Sequence, residues 1–251
     1  MEGLAGGVIV EDFDQNGLQD VFRTSWYFDH NCQLLLQTEP GRFSEQTGQF
    51  MLDGEVGGLN CVSTDYNNDG YVDILILRGG WLEGLGLLPN SLLKNVNGKH
   101  FENVSFETGL TSAYPSHSAV WADFNNDGWP DIFVGNDVGT ADVMYLNNQD
   151  GTFKDVSKIS STFDRRASMG MAVGDVYHHG KMDLFTTHWV NEDHALWKNL
   201  STAGDPSGIL MEDVGPFTGI LEIKSTADVA WGVNLVDFDN DGHLDVILAN
   251  G

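Results

Sequence analysis

The chain alternates short apolar bursts with compact polar stretches, and the order repeats. Segments of small and apolar residues, "GGVIVEDF", "GGLNCVSTDY", "SHSAVWADF", "SMGMAVGDV" and "AWGVNLVDF", each run into a polar loop. Each loop then opens into a second apolar burst, as in "DVF", "DILIL", "DIFVGN", "DLFTT" and "DVILAN". These bursts are short, rich in Val, Ile and Phe, and bounded by Gly and Asn, which predicts strands. No apolar pattern of 3.6-residue period recurs, so a helical solenoid is excluded.

A second landmark follows in each unit: "LLLQTEPGRFSEQ", "LLKNVNGKHFENV", "MYLNNQDGTFKDV" and, more loosely, "ALWKNLSTAGDPSGILMEDV". Each reads as strand, polar turn, strand, the first copy poorly. A unit is therefore about four short strands. The loops begin at Asp12, Asp65, Asp123, Asp175 and Asp237, separated by 53, 58, 52 and 62 residues. Four antiparallel strands at that period predict an all-β fold, a β-propeller of four-stranded antiparallel blades. A blade cannot bury both faces alone, so neighbours must stack. Residues 1–251 are expected to form one propeller region with repeats near 8–59, 60–118, 119–170, 171–230 and an incomplete 231–251. Four blades and the opening of a fifth predict a partial ring, belonging to a longer protein.

The loops carry the chemistry. Counting Asp123 as position 1 in "DFNNDGWPD", oxygen-bearing side chains fall at positions 1, 3, 5 and 9, and glycine at position 6. A hard cation such as Ca²⁺ takes six to eight oxygens, and the glycine allows a sharp turn around it. The expected ligands are Asp12, Asp14, Asn16 and Asp20; Asp65, Asn67, Asp69 and Asp73; Asp123, Asn125, Asp127 and Asp131; and Asp237, Asp239, Asp241 and Asp245. Position 7 (Leu18, Tyr71, Trp129, His243) is expected to contribute its backbone carbonyl, so its side chain varies freely. An EF-hand would carry Glu at position 12, where Arg23, Ile76, Val134 and Leu248 stand, so that motif is excluded. Zinc and copper fit poorly, since the side chains at ligand positions are neither thiolate nor imidazole. Asn, Asp and Gly are also ordinary turn residues, but four copies with oxygen at all four positions favour about four Ca²⁺ sites. Binding should then stabilise the fold and chelation should loosen it.

The fourth loop, "DVYHHGKMD", keeps Asp175, Gly180 and Asp183 but places Tyr177 and His179 at positions 3 and 5. It is expected to bind no calcium. His178, His179, His188 and His194 could in principle hold a transition metal, but without ligand spacing they are expected to be surface or packing residues.

Charge narrows the partners. With 12 basic and 37 acidic residues the formal charge is −25, which excludes nucleic acid and disfavours anionic membrane. Residues 1–30 show no basic stretch followed by an apolar core, and no run approaches the ~20 apolar residues of a membrane helix. Cys32 and Cys61 are too few for a disulfide framework, and their pairing is open.

The "DxDxDG" loops, followed by Asp and an apolar strand, together with "YLNNQDGTFKDVS", resemble the FG-GAP/VCBS repeat proteins, over nearly the whole chain. More narrowly they resemble the branch related to cartilage acidic protein, which carries an ASPIC/UnbV segment after the propeller. The resemblance implies a calcium-stabilised propeller related to the integrin α-subunit head, placed outside the cell, on its surface or in the periplasm. It implies binding or adhesion to an unnamed protein or glycan rather than catalysis. Asn16 at position 5 and the changed fourth loop depart from the pattern.

An enzyme on the same scaffold, a carbohydrate lyase or a quinone-linked sugar dehydrogenase, would need a non-repeated catalytic cluster. Arg165, Arg166, His188, His194 and the insertion at 78–90 are unshared, but they form no interpretable constellation. "DRRAS" resembles a phosphorylation sequence, and Asn103 and Asn199 head glycosylation patterns. Trp121, Trp189 and Trp231 are expected to pack between blades.

Overall fold

Every loop of the repeat joins the first two strands of an antiparallel sheet. The computed structural model describes residues 5–79, 88–137, 139–202, 208–220 and 229–251. Of the insertion at 78–90, positions 80–87 lie outside the described residues.

Two compact units are resolved. The first comprises residues 1–116 with 149–152, the second residues 117–148 with 153–251. In the first unit, β1 (Ala5–Glu11), β2 (Asp20–Ser25), β3 (Gln33–Glu39) and β4 (Arg42–Glu45) form one sheet in sequence order. A second sheet holds β5 (Asn60–Thr64), β6 (Asp73–Leu77), β7 (Ser91–Val96) and β8 (His100–Asn103), with a single helical turn, α1 (Ser105–Thr108), behind it. The hairpin read as poor in the first copy is fully formed, with Leu36 paired to Ser44 and Gln37 to Phe43 around Gly41 at φ +77°.

The second unit repeats the plan. It holds β9 (Ser116–Ala122), β10 (Asp131–Asn136), β11 (Val143–Asn147) and β12 (Phe153–Asp155), then β13 (Ser168–Gly174), β14 (Asp183–His188), β15 (Ala195–Asn199) and β16 (Met211–Asp213). A last two-stranded sheet, β17 (Ala230–Val236) and β18 (Asp245–Asn250), follows a 3-10 turn at Gly215–Phe217. These are the four-stranded antiparallel blades that the repeat predicted.

Sheet stacking explains the apolar bursts. Every residue of β6, β10 and β14 is buried, because a second strand flanked by neighbours and covered on both faces has no solvent side. The core of the first unit gathers Phe13, Phe22, Leu34, Ile74, Ile76 and Phe101. Phe13, at position 2 of its loop, meets Phe101 of the next sheet edge to face at 5.7 Å. In the second unit Phe124, Phe133, Met144, Leu184 and Trp197 form the equivalent cluster. First strands approach so closely that side chains are excluded at their starts. A Cβ on Gly7 would lie 2.5 Å from the Cys61 nitrogen, and one on Gly170 would lie 2.5 Å from the Trp231 carbonyl oxygen.

Candidate metal-binding loops

The five loops close by the same set of bonds. The position-1 aspartate accepts the position-5 N–H on Oδ1 at 2.9–3.1 Å. Its Oδ2 accepts the glycine N–H at 2.7–2.9 Å. In the four loops with oxygen at position 3, that side chain accepts the same position-5 N–H at 3.0–3.2 Å. Position 5 in turn accepts the N–H of Leu18, Tyr71, Trp129 or His243 at 2.8–3.1 Å. These nested turns aim successive side chains into one cup.

Two left-handed residues make the cup possible. Position 4 (Gln15, Asn68, Asn126, His178, Asn240) has φ between 51° and 60°, and the glycine has φ between 74° and 91°. Asn is the commonest choice at position 4 because its short polar side chain tolerates this region better than most.

Position 9 is a structural staple as well as an oxygen donor. Asp20, Asp73, Asp131 and Asp183 are buried, and Oδ2 of each accepts the backbone N–H of position 2 at 2.9–3.2 Å. Their Oδ1 atoms accept N–H groups of the third strand, from Gln37, Asn95, Asn147 and Asn199, at 2.7–2.9 Å. Asp245 keeps the first of these bonds, from Phe238 at 3.0 Å.

The structural role of the third-strand asparagines was not read from the sequence, where Asn199 stood out only as heading a glycosylation pattern. Asn95, Asn147 and Asn199 are buried, and their side-chain amides donate to the position-8 carbonyls of Val72, Pro130 and Met182 at 3.0–3.2 Å. Asn95 also donates to the Phe13 carbonyl, and Asn199 to that of Phe124, tying neighbouring sheets within each unit. The signal was present as the Asn closing "LLKN", "MYLN" and "ALWKN".

The donors converge unevenly. Carboxylate oxygens of Asp12, Asp14 and Asp20, and of Asp237, Asp239 and Asp245, lie within 4.8 Å of one another. In the second and third loops the Asn67 and Asn125 amides instead donate to Oδ2 of Asp69 and Asp127, at 3.0 and 2.9 Å, and Lys94 stands 3.5 Å from Asp69. The Asn16 amide likewise turns to Asp14 and to the Gln37 carbonyl.

The electrostatics fit a cation. Burial pushes the Asp73 carboxyl up to about 7 and that of Asp131 up to about 8, with Asp65, Asp69, Asp123 and Asp127 adding repulsion against the opposing backbone hydrogen bonds. Burial raises Asp20 in the same way, with Asp12 and Asp14 nearby. A divalent cation among these oxygens removes that penalty, and an all-oxygen donor set suits calcium.

The fourth loop keeps the backbone and changes its centre. His179 places Nδ1 3.0 Å from Asp175 Oδ1 and Nε2 3.4 Å from Asp183 Oδ1. The imidazole bridges the first and ninth positions.

Other singled-out residues resolve differently. His188 and His194 are buried, whereas His178 lies on the surface with Nε2 3.2 Å from His243 Nδ1. Arg166 bridges Asp164 and Asp213, and Arg165 donates to the Gly139 carbonyl. Trp189, just after β14, and Trp231, on β17, meet edge to face at 6.3 Å between neighbouring sheets, yet remain 40% and 39% exposed. Both stand at strand ends, where the sheets no longer cover them. Trp121 is half-buried against Phe153. Ser168 of "DRRAS" and Asn199 are fully buried and hydrogen-bonded, which bars modification of the folded chain, while Asn103 is exposed. Cys32 and Cys61 are free thiols buried in the first unit.

Sequence comparison decides the family. The model of the FG-GAP-like repeat matches residues 12–76 and 123–186, each span running from one loop into the second strand of the following sheet. The chain belongs to the FG-GAP-like repeat family. Among curated relatives of this FG-GAP-like repeat protein, cartilage acidic protein 1 of Xenopus tropicalis is 27% identical over 149 residues, 59% of this chain. The match spans 22% of that relative's length. Among solved structures, an Agrocybe aegerita lectin, described for its specific recognition of non-reducing terminal N-acetylglucosamine, superposes with a TM-score of 0.52 at 14% identity. It is covered over 96% of this chain and 60% of its own. A Bacillus licheniformis rhamnogalacturonan lyase follows at 0.45 and 13% identity, over 98% of this chain and 55% of its own. The likeness to the lectin is one of fold. Among the described residues, no helix of this FG-GAP-like repeat protein is long and apolar enough to cross a membrane.

Proposed function

We propose that this FG-GAP-like repeat chain is a calcium-stabilised, non-catalytic binding module that acts outside the cell on a glycan or protein partner. The observation that carries the calcium reading is the common cup of the first, second, third and fifth loops, with side-chain oxygen at positions 1, 3, 5 and 9. Asp12, Asp14, Asn16 and Asp20, and their equivalents, would hold the ion, with the position-7 carbonyls completing the shell. The bound ion neutralises the crowded carboxylates, and the chain's own residues do the rest. The position-9 staple transmits order from the loop to the third strand, and Asn95 and Asn199 carry it to the adjacent sheet.

Trp189 and Trp231 support a partner surface at the strand ends remote from the loops. Trp231 is the second residue of β17, whose other end enters the Asp237 loop, and Trp189 directly follows β14. Exposed aromatic faces beside polar groups suit sugar rings and protein anchors alike. A glycan array probed with the calcium-loaded chain tests this reading. Binding that Trp189→Ala and Trp231→Ala abolish without changing the melting temperature supports it; turnover of a polysaccharide by the purified chain contradicts the non-catalytic assignment.

A further inference from the structure

A second kind of ion site stands apart from the calcium loops, at the opposite strand ends of the second unit. Asp142 precedes β11, Asp164 lies before β13, and His188 ends β14, the strand that starts at the loop aspartate Asp183. One ligand atom from each lies within 4.8 Å of the other two.

The histidine is the observation that singles this cluster out. His188 is fully buried, and its Nε2 has no hydrogen-bond partner, yet it stands 3.6 Å from Asp164 Oδ2. Its Nδ1 faces the Asp193 carbonyl at 2.8 Å. A carbonyl only accepts, so Nδ1 carries the hydrogen and Nε2 presents a lone pair to the two acids. Burial, reinforced by the Arg166 guanidinium, pushes the imidazole down to about 3, which keeps that lone pair unprotonated at neutral pH. A lone pair facing carboxylate oxygens inside a protein is repulsive unless a proton or a cation sits between them, and burial favours a proton on Asp142 that a metal ion would displace.

The acids are held in place for this task. Asp142 accepts the Asn136 N–H at 2.8 Å and the Ser168 hydroxyl at 2.7 Å. Asp164 is gripped by the backbone N–H and the guanidinium of Arg166, which also reaches Asp213. A histidine whose far nitrogen is fixed by a carbonyl, beside carboxylates fixed by their own hydrogen bonds, is how metal ligands are oriented. The equivalent position in the first unit is spent differently. Arg78, five residues after Asp73 as His188 is after Asp183, pairs directly with Glu55 at 2.5 Å.

We propose that Asp142, Asp164 and His188 bind one divalent transition metal of the zinc or manganese class. One imidazole with two carboxylates suits these ions rather than calcium, which takes oxygen donors alone. Ligand atoms about 2.0–2.2 Å from a common tetrahedral ion stand about 3.3–3.6 Å apart; His188 Nε2 and Asp164 Oδ2 already lie 3.6 Å apart, and the other separations, all within 4.8 Å, close by at most about 1.5 Å on binding. The exposed pair of His178 and His243, and the Asp175, His179 and Asp183 cluster of the fourth loop, are competing sites for such an ion, and the test separates them.

The experiment titrates Zn²⁺, and separately Mn²⁺, into the chelator-stripped full chain kept in excess Ca²⁺, then records X-ray absorption of the sample loaded with one equivalent of zinc. The expected result is one equivalent of zinc or manganese with a zinc shell of one imidazole nitrogen and oxygen donors. His188→Gln and Asp142→Asn each weaken binding by at least about 100-fold, and His178→Ala leaves it unchanged. Absence of uptake of both metals overturns the proposal. So does a shell with two imidazoles, or affinity that survives His188→Gln. If the substituted chains do not fold, His179→Gln, which removes the imidazole of the fourth-loop cluster with the same donor set, must leave zinc uptake and its absorption shell unchanged; loss of either overturns the proposal. Because calcium is present throughout, the outcome is independent of whether the loops hold it.

Discussion

The side-chain amide of Asn199 donates to the carbonyl of Phe124, 75 residues earlier in the chain, at 2.8 Å. Asn95 makes the matching bond to Phe13 at 2.9 Å. Each asparagine closes a bridge that begins at a loop and ends on the neighbouring sheet. Asn199→Ala leaves the buried carbonyls of Phe124 and Met182 without it. The expected cost is about 2–4 kcal/mol, read as a fall of about 5–15 °C in melting temperature. An unchanged melting curve would show that the bridge contributes nothing.

Without metal, the loop carboxylates should make stability fall as pH rises. Asp73 and Asp131 have folded values near 7 and 8, above the ordinary carboxylate range. The stability they contribute is complete below about pH 4 and is lost as pH rises through 7 and 8. Asp142 is raised by burial in the same direction, and buried His188, held low, costs stability only as pH falls below about 6.5. Chelator-treated protein should therefore melt lower at pH 8.5 than at pH 6.5. Calcium should remove most of that difference. A pH slope identical in calcium and chelator would contradict the loop assignment.

The fourth loop offers a gain-of-function test. His178 and Gly180 already hold the left-handed backbone of the other loops, at φ 51° and 74°. What differs is the donor set, with His179 lodged between Asp175 and Asp183. Tyr177→Asn with His179→Asp should add one calcium equivalent in a calorimetric titration. No gain would mean that the backbone and these side chains are insufficient to make a site.

Crowding at the start of the first strands predicts a steric penalty. Gly170→Ala drives a methyl group to 2.5 Å from the Trp231 carbonyl oxygen, so β13 and β17 must separate. A loss of about 1–3 kcal/mol is expected in denaturant unfolding. Gly128→Ala meets no neighbour within 4 Å but must hold φ +88°, so its cost is one of backbone strain, expected to appear also as weakened calcium binding.

The loops and the blades were legible because they repeat. Asp, Gly and the following apolar burst recur at fixed spacing, and the buried second strands admit only apolar residues. The buried asparagines recur too, at Asn95, Asn147 and Asn199, but a polar residue in a strand pattern reads as a turn approaching, and only coordinates show it buried. Asp142, Asp164 and His188 come from three segments of the chain and belong to no repeat, so their meeting depends on how β11, β13 and β14 are brought together. The partial exposure of Trp189 and Trp231 was not legible, because strand ends escape the covering sheet while the sequence shows only apolar character.

Calorimetric titration of Ca²⁺ into the chelator-stripped chain, with melting followed in calcium and in chelator, tests the central claim most directly. The account predicts about four equivalents and a clear rise in melting temperature on binding. No heat of binding and no shift in melting would contradict it, and would leave the repeated cups as hydrogen-bonded turns.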